Sequence, residues 1–443
     1  MHRTRSLSLT LGLFFVACSS SQGSPPPAAG EVDSGTSSID SGTSDKPDTA
    51  TLEDTTAPRP DAPPSDAPIA DGLAVQEWGT YTSVQASDGH ALGGLHHEDE
   101  TLPAFVQRRN WSDRSNYYFE NLAEEPLQQL ETPVLYFWSK KAQDVQVQID
   151  FPQGVVGQWY PDATKFSPDL GNCKALEKGS MTWNVTVDPS IDPSTFRPVD
   201  PKEIWAPSRN VASTPVHFTG TTGSADEREQ FIFYRGLGKF NPEVKVIEGV
   251  DGSMHVTNGT HDDIASAFVL RVTADGGTIV SLGALKAGTT FDTKVPTTVK
   301  SIDNYVADAK KALHDALMAS GLRDDVAQAM VDTWTRSWFK NVGLRVLYLA
   351  PRAWTDSWLP TTITPTPTSL VRTLVGRIES ITPSEETSLI AAVKDHAKSG
   401  AAFDVTTLGR FSEPRLRRAI ESLTDAGEIT YGNGLIDKAH ALP

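Results

Sequence analysis

Two cysteines in 443 residues, Cys18 and Cys173, are too few for a disulfide framework. The chain also lacks the run of about 20 apolar residues that a membrane helix needs. It has no Gly-x-Gly-x-x-Gly or Walker-type loop to cradle phosphate, no Gly-x-Ser-x-Gly turn to present a nucleophilic serine, and no His-Glu-x-x-His pair for zinc. Basic excess is missing as well: the formal charge is −17, without a basic, aromatic-interleaved patch, and this excludes nucleic acid as a partner. No internal repeat marks a solenoid.

What is present begins with an address. Arg3 and Arg5 lead into an apolar stretch from Leu7 to Val16, followed by Ala17 and Cys18, and this combination is that of a cleaved secretory signal over residues 1–17. Phe15-Val16-Ala17-Cys18 resembles the lipobox of bacterial lipoproteins, with Phe15 where that pattern usually has Leu. The resemblance implies a diacylglycerol on the Cys18 sulfur and a third acyl chain on its freed amine, and Ser19 in place of Asp implies delivery to the outer membrane. Two or more acyl chains anchor stably where one binds marginally.

Residues 18–72 read as a disordered acidic tether. After Cys18 the stretch carries ten acidic residues against Lys46 and Arg59, a net charge of −8, and no Trp, Tyr or Phe. Such a segment cannot bury enough apolar surface to offset the entropy of ordering. As a flexible coil it would span roughly 40 Å.

From 73 to 300 the pattern is that of strands. Val145, Val147, Ile149 and Phe151 alternate with polar residues, as do Met181, Trp183, Val185 and Val187. Asp275-Gly276 between two apolar runs reads as a hairpin turn, and Asp251-Gly252 and Asp88-Gly89 as two more turns. From 301 to 443 the period becomes helical: Tyr305, Ala309, Leu313 and Leu317 share a face that Gly321 ends, and a second helix runs from about Asp325 through Trp338. Leu344 to Leu349 reads as a buried strand, Ser369 as the cap of a helix carrying Leu370, Val371, Leu374, Val375 and Ile378, and Thr382-Pro383-Ser384-Glu385 as a capping box. Ser412 and Gly427 bracket the last helix. The expected fold is α+β: an antiparallel, sandwich-like β-rich part followed by a mostly helical part packed against it.

Several strings, among them Val75-Gln76-Glu77-Trp78-Gly79-Thr80-Tyr81, Glu131-Thr132-Pro133-Val134, Phe233-Tyr234-Arg235-Gly236 and Gly343-Leu344-Arg345-Val346, resemble a group of uncharacterised exported bacterial proteins over most of the body from residue 73 onward. The resemblance implies one folded unit and carries over no catalytic residue.

Chemistry is densest at His96, His97 and Glu98, with Asp88 and His90 just upstream and Asp99 and Glu100 just downstream. Imidazoles and carboxylates suit a divalent transition metal, while a solvated acidic loop is the plainer alternative. His261-Asp262-Asp263 is a weaker cluster of the same kind, and Cys173 reads as a tolerated thiol. Glu77, Glu131 and Glu229, each beside aromatic or strand-forming residues, are candidates for an acid–base pair. The ten tryptophans read mostly as core; a few exposed beside Tyr117, Tyr118 and Arg235 would make a sugar or peptide platform. Two functions follow: a tethered binding or structural module for an extracellular polymer or protein, or a metal-dependent hydrolase centred on the residues from His96 to Glu100.

The anchor is directly testable. Cys18→Ser should move the protein out of the membrane fraction and abolish labelling by a fatty-acid probe; a variant that still takes the label would refute lipidation at this cysteine.

Overall fold

Alternating apolar residues become strands across most of the body. The computed structural model describes residues 72–95, 97, 101–108, 126–168, 175–220 and 226–442, all within the second of two units, 60–443. Cys18, the tether up to residue 71, Cys173, His96 and Glu98 lie outside the described residues. None of the described helices is long and apolar enough to cross a membrane.

Ten strands join in one sheet. Its main path runs Gly276–Leu285, Ile264–Thr273, Gly343–Leu349, Ser369–Ser380, Ala74–Gln85, Gln128–Trp138, Ile232–Gly238, Gly154–Tyr160 and Gln107–Arg108, and Ala91–Leu92 pairs beside Ala74–Gln85. Neighbours are antiparallel with one exception: Ala74–Gln85 and Ser369–Ser380 run parallel over twelve residue pairs. A second sheet contains Gly179–Val187 and Gln143–Phe151, and a third consists of Val244–Glu248, Ser253–Asn258 and Thr289–Lys294.

Successive side chains of a strand point to opposite faces, so a central strand covered on both sides is apolar in both phases. Val75, Tyr81, Phe137, Tyr234 and Tyr348 pack with Val147, Ile149, Met181 and Trp183 of the second sheet and with Val246 and Val256 of the third. Trp78, Tyr136, Phe233, Phe268 and Leu347 face the other way, onto helices Ile302–Ala319 and Asp324–Phe339 through Leu313, Val326, Met330 and Trp334. The fold is α+β, with the large sheet between smaller sheets and helices. Helices Pro383–Ser399, Ser412–Glu421 and Ala426–His440 share a further core of Val393, Leu416 and Leu435.

Two local expectations are corrected. Ser369 does not cap a helix: Ser369–Ser380 is a strand in the middle of the large sheet. Its apolar residues fall at helical spacing because Leu374 and Ile378 supply one core while Val375 supplies the other. The β-branched Val371, Thr373, Val375 and Ile378 were the opposing signal. The segment after Ser412 is likewise two helices, and Asp425 caps the second by accepting from the Gly427 and Glu428 N–H groups. The capping box at Thr382 and Glu385 is present as read.

Strands Gly343–Leu349 and Ser369–Ser380 stand between Ile264–Thr273 and Ala74–Gln85, so the large sheet is built from both halves of the body. Removing everything after Lys300 takes away those two strands and bares two long edges. The fragment is expected to aggregate on size-exclusion chromatography and to lack a cooperative urea transition. A monomeric fragment with one sharp transition would refute the interdependence of the two halves.

Candidate functional site

The residues singled out in the sequence fall mostly into structural roles. Glu77 lies beside Arg372 in the parallel register, forms a buried ion pair with it, and accepts from the Tyr234 hydroxyl at 2.5 Å. Glu131 pairs with Arg410 and accepts from Thr82 at 2.7 Å. Glu229 pairs with Arg209 at 2.6 Å and accepts from the Trp205 indole at 3.0 Å. These three carboxylates are each fully buried and occupied by a guanidinium, which ties strand to strand at Glu77 and strand to a 3-10 turn at Glu131 and Glu229, so none of the three is free to act as an acid or base facing solvent.

Two further buried carboxylates follow the same rule. Glu379 takes Arg345 at 3.0 Å and Arg377 at 2.9 Å. Burial alone pushes the Glu379 carboxyl up, but these two guanidiniums hold it below the ordinary glutamate range. Glu413 pairs with Arg417 at 2.6 Å.

Of the metal-ligand candidates, Asp88 is exposed and engaged by Arg418 at 2.8 Å. The upward push from burial is outweighed by the His90 N–H and Arg418 acting together, and the Asp88 carboxyl sits below its usual value. His90 is exposed, while His97 is buried and its carbonyl accepts from Arg410 at 3.1 Å. Among the described residues no three His, Cys, Asp or Glu side chains gather as a metal site requires. In the weaker cluster, Asp262 accepts from the Trp354 indole and Asp263 pairs with Lys286, each at 2.8 Å.

Eight of the tryptophans are core: Trp78, Trp138, Trp159, Trp183, Trp205, Trp334, Trp338 and Trp354 are all buried. Arg235 is buried too and cannot stand on an exposed platform; Trp111, Tyr117 and Tyr118 lie outside the described residues.

A well-developed concave surface lies elsewhere among the described residues. A cleft of about 720 Å³ lies between the turn after Val244–Glu248, the end of Ile264–Thr273, the start of Gly343–Leu349 and the first turns of helix Pro383–Ser399. Asp251 shapes the turn by accepting from the Ser253 N–H at 3.1 Å and its hydroxyl at 2.8 Å. Gly343 has φ 149°, and a Cβ there would meet Glu379 Oε1 at 2.6 Å and Arg345 Nη2 at 2.8 Å, so the cleft floor lies directly over a buried ion pair. Val250, 95% exposed, and Val342, 64% exposed, form an apolar rim.

Glu248 lines this cleft. Its side chain is only 6% exposed and its Oε1 accepts from the Ser380 hydroxyl at 2.5 Å. Burial pushes the carboxyl up to about 6, against the opposing pull of Ser380, and the charges of Glu385 and Glu386 add to the rise. Sequence reasoning passed over this residue, although a signal was present. Val244, Val246 and Glu248 share the inward phase of one strand, so the strand carries an acid where it should carry an aliphatic.

No family model matches the chain, and no curated protein matches it. Among solved structures it is similar to the Fcho1 Mu homology domain of Danio rerio with bound Eps15 peptide, at 5% identity over 70% of this chain and 96% of that one, with a TM-score of 0.26. It is also similar to the yeast delta-COP-I mu-homology domain complexed with Dsl1 WxWxV peptide, at 6% identity over 70% and 96%, with a TM-score of 0.23. A further structure of that yeast domain gives 7% identity over 71% and 98%, with a TM-score of 0.25. Scores of this size do not establish a common fold.

Because the folded-state value of Glu248 lies above the ordinary 4.5, its contribution to stability is in place below pH 4.5 and is lost as pH rises through about 6. Glu248→Gln keeps the acceptor for Ser380 and removes the charge. It should raise stability at pH 7.5 by on the order of 2 kcal/mol, read as a higher melting temperature, and leave the melting temperature nearly unchanged at pH 4.5. Equal effects at both pH values would show that the carboxyl is not perturbed.

Proposed function

We propose that this chain is an exported lipoprotein of the bacterial outer membrane whose body binds an extracellular ligand, polymer or protein in the cleft beside Glu248. The cleft carries the reading: a volume of about 720 Å³ falls in the range of ligand sites, with apolar walls and few polar groups converging on it. Its rim supports the same reading, because Val250 and Val342 expose apolar surface that folding does not require. The lipobox-like Phe15 to Cys18 supports the anchor, and the acidic stretch behind it supports a spacer between bilayer and body.

Filling the cleft should abolish binding. Ser388 on helix Pro383–Ser399 and Ala274 in the turn after Ile264–Thr273 both line it and both are exposed, so Ser388→Trp and Ala274→Trp add bulk without entering a core. Fragment screening by ligand-observed NMR is expected to return binders whose signals vanish in either variant, with melting temperatures unchanged. Binders that ignore both tryptophans would place the ligand elsewhere.

A further inference from the structure

We propose that the cleft seats an organic cation, an ammonium or guanidinium on an apolar stem, with Glu248 as its counter-ion; this rests on the reading of the cleft as the ligand site.

Seven carboxylates are buried among the described residues, all glutamates, and the five described above as ion pairs each hold an arginine. Glu227 accepts from the Asp162 N–H at 2.6 Å and feels the positive charge of Arg197. Glu248 alone has no cation. Among the described residues its side chain's only hydrogen-bond donor is Ser380, and the charges acting on it, Glu385 and Glu386, are of its own sign. No described residue donates to its second oxygen, Oε2, and Glu248 lines the cleft.

The remaining charged groups around the cleft do not fill the gap. Arg271 spends Nη1 on the Pro296 carbonyl at 2.7 Å, and Lys294 acts on Asp251. Arg345 is committed to Glu379 beneath Gly343. On the helix, Glu385 closes the capping box, and Glu386 is held by Arg418 at 3.1 Å. A cation entering the cleft therefore meets a buried carboxylate that pairs with no described cation, with the acid Glu385 beside it in the lining and Arg271 tethered through Nη1 to the Pro296 carbonyl. The rest of the lining includes Val250, Val272, Val295, Val342 and Leu344, which suit an alkyl or aromatic stem. A charge-assisted hydrogen bond in so secluded a site is stronger than the same bond at the surface.

The charge of the site follows pH. Glu248 ionises through about 6, so the counter-ion is present at pH 7.5 and mostly neutralised at pH 5, while an alkylamine stays protonated across that range.

The test uses the full-length chain and three probes of one size: n-hexylammonium, hexanol and hexanoate. At pH 7.5 hexylammonium should bind at least tenfold tighter than hexanol, and hexanoate weakest of all. The preference should collapse at pH 5 and in Glu248→Gln, with circular dichroism reporting an intact fold, and Ser388→Trp should abolish hexylammonium binding. Equal affinity for hexylammonium and hexanol, both lost in Ser388→Trp, would overturn the cation while leaving the cleft a binding site. Binding of none of the three, or binding indifferent to Ser388→Trp, would overturn the cleft reading and the cation with it.

Discussion

The parallel pairing of Ala74–Gln85 with Ser369–Ser380 is the constraint on which the rest of the body depends. It joins residues 295 positions apart in the chain, as where Thr368 Oγ1 donates to the Leu73 carbonyl and Thr80 Oγ1 to that of Val375. Everything between them is a closed loop whose ordering entropy must be offset before the pair can form. Both strands are central, so neither can be completed by solvent. Sheets and helices on either side exist to cover them.

A two-sided cover creates a second demand. Polar side chains in such strands have no water to turn to, and the protein answers with guanidinium–carboxylate pairs set by strand register. Glu77 faces Arg372 and Arg345 faces Glu379 as direct lateral neighbours. Buried pairs of this kind bring little net stability over apolar residues, because desolvation cancels much of the attraction, but removing one partner costs about 3–5 kcal/mol. Their effect is on register: a slip by one residue would strand every charge in the layer at once. Arg410 extends the same logic outside the sheet, tying the segment before helix Ser412–Glu421 to Glu131 and to the Gln129 side chain at 2.6 Å.

Against this background Glu248 is legible as a departure. An acid is tolerated there because its carboxyl can hold its proton up to about pH 6 and because its residue borders the cleft rather than a closed core. The cleft lies where the third sheet, the end of the large sheet and a helix start meet. Such seams leave space because each element is shaped by its own core.

By itself the sequence determined the local elements: the strands with period two, the two amphipathic helices after Ser301, the capping box at Thr382 and the hairpin at Asp275-Gly276. These depend on residues a few positions apart, and their physics is complete within the segment. It also carried the α+β class and the buried strand Gly343–Leu349. What only the tertiary structure decided depends on residues far apart. Ser369–Ser380 is a strand because two cores claim its alternate faces, and helical spacing cannot be told from that double claim without the neighbours in place. Glu77, Glu131 and Glu229 are structural because arginines up to 295 positions away reach them, and a carboxylate read alone carries no record of its partner. The cleft and its unpaired acid arise where four separate segments converge. Val244, Val246 and Glu248 displayed the anomaly in one strand, but its meaning lay in the fact that no guanidinium among the described residues pairs with Glu248, although Arg271 lines the same cleft.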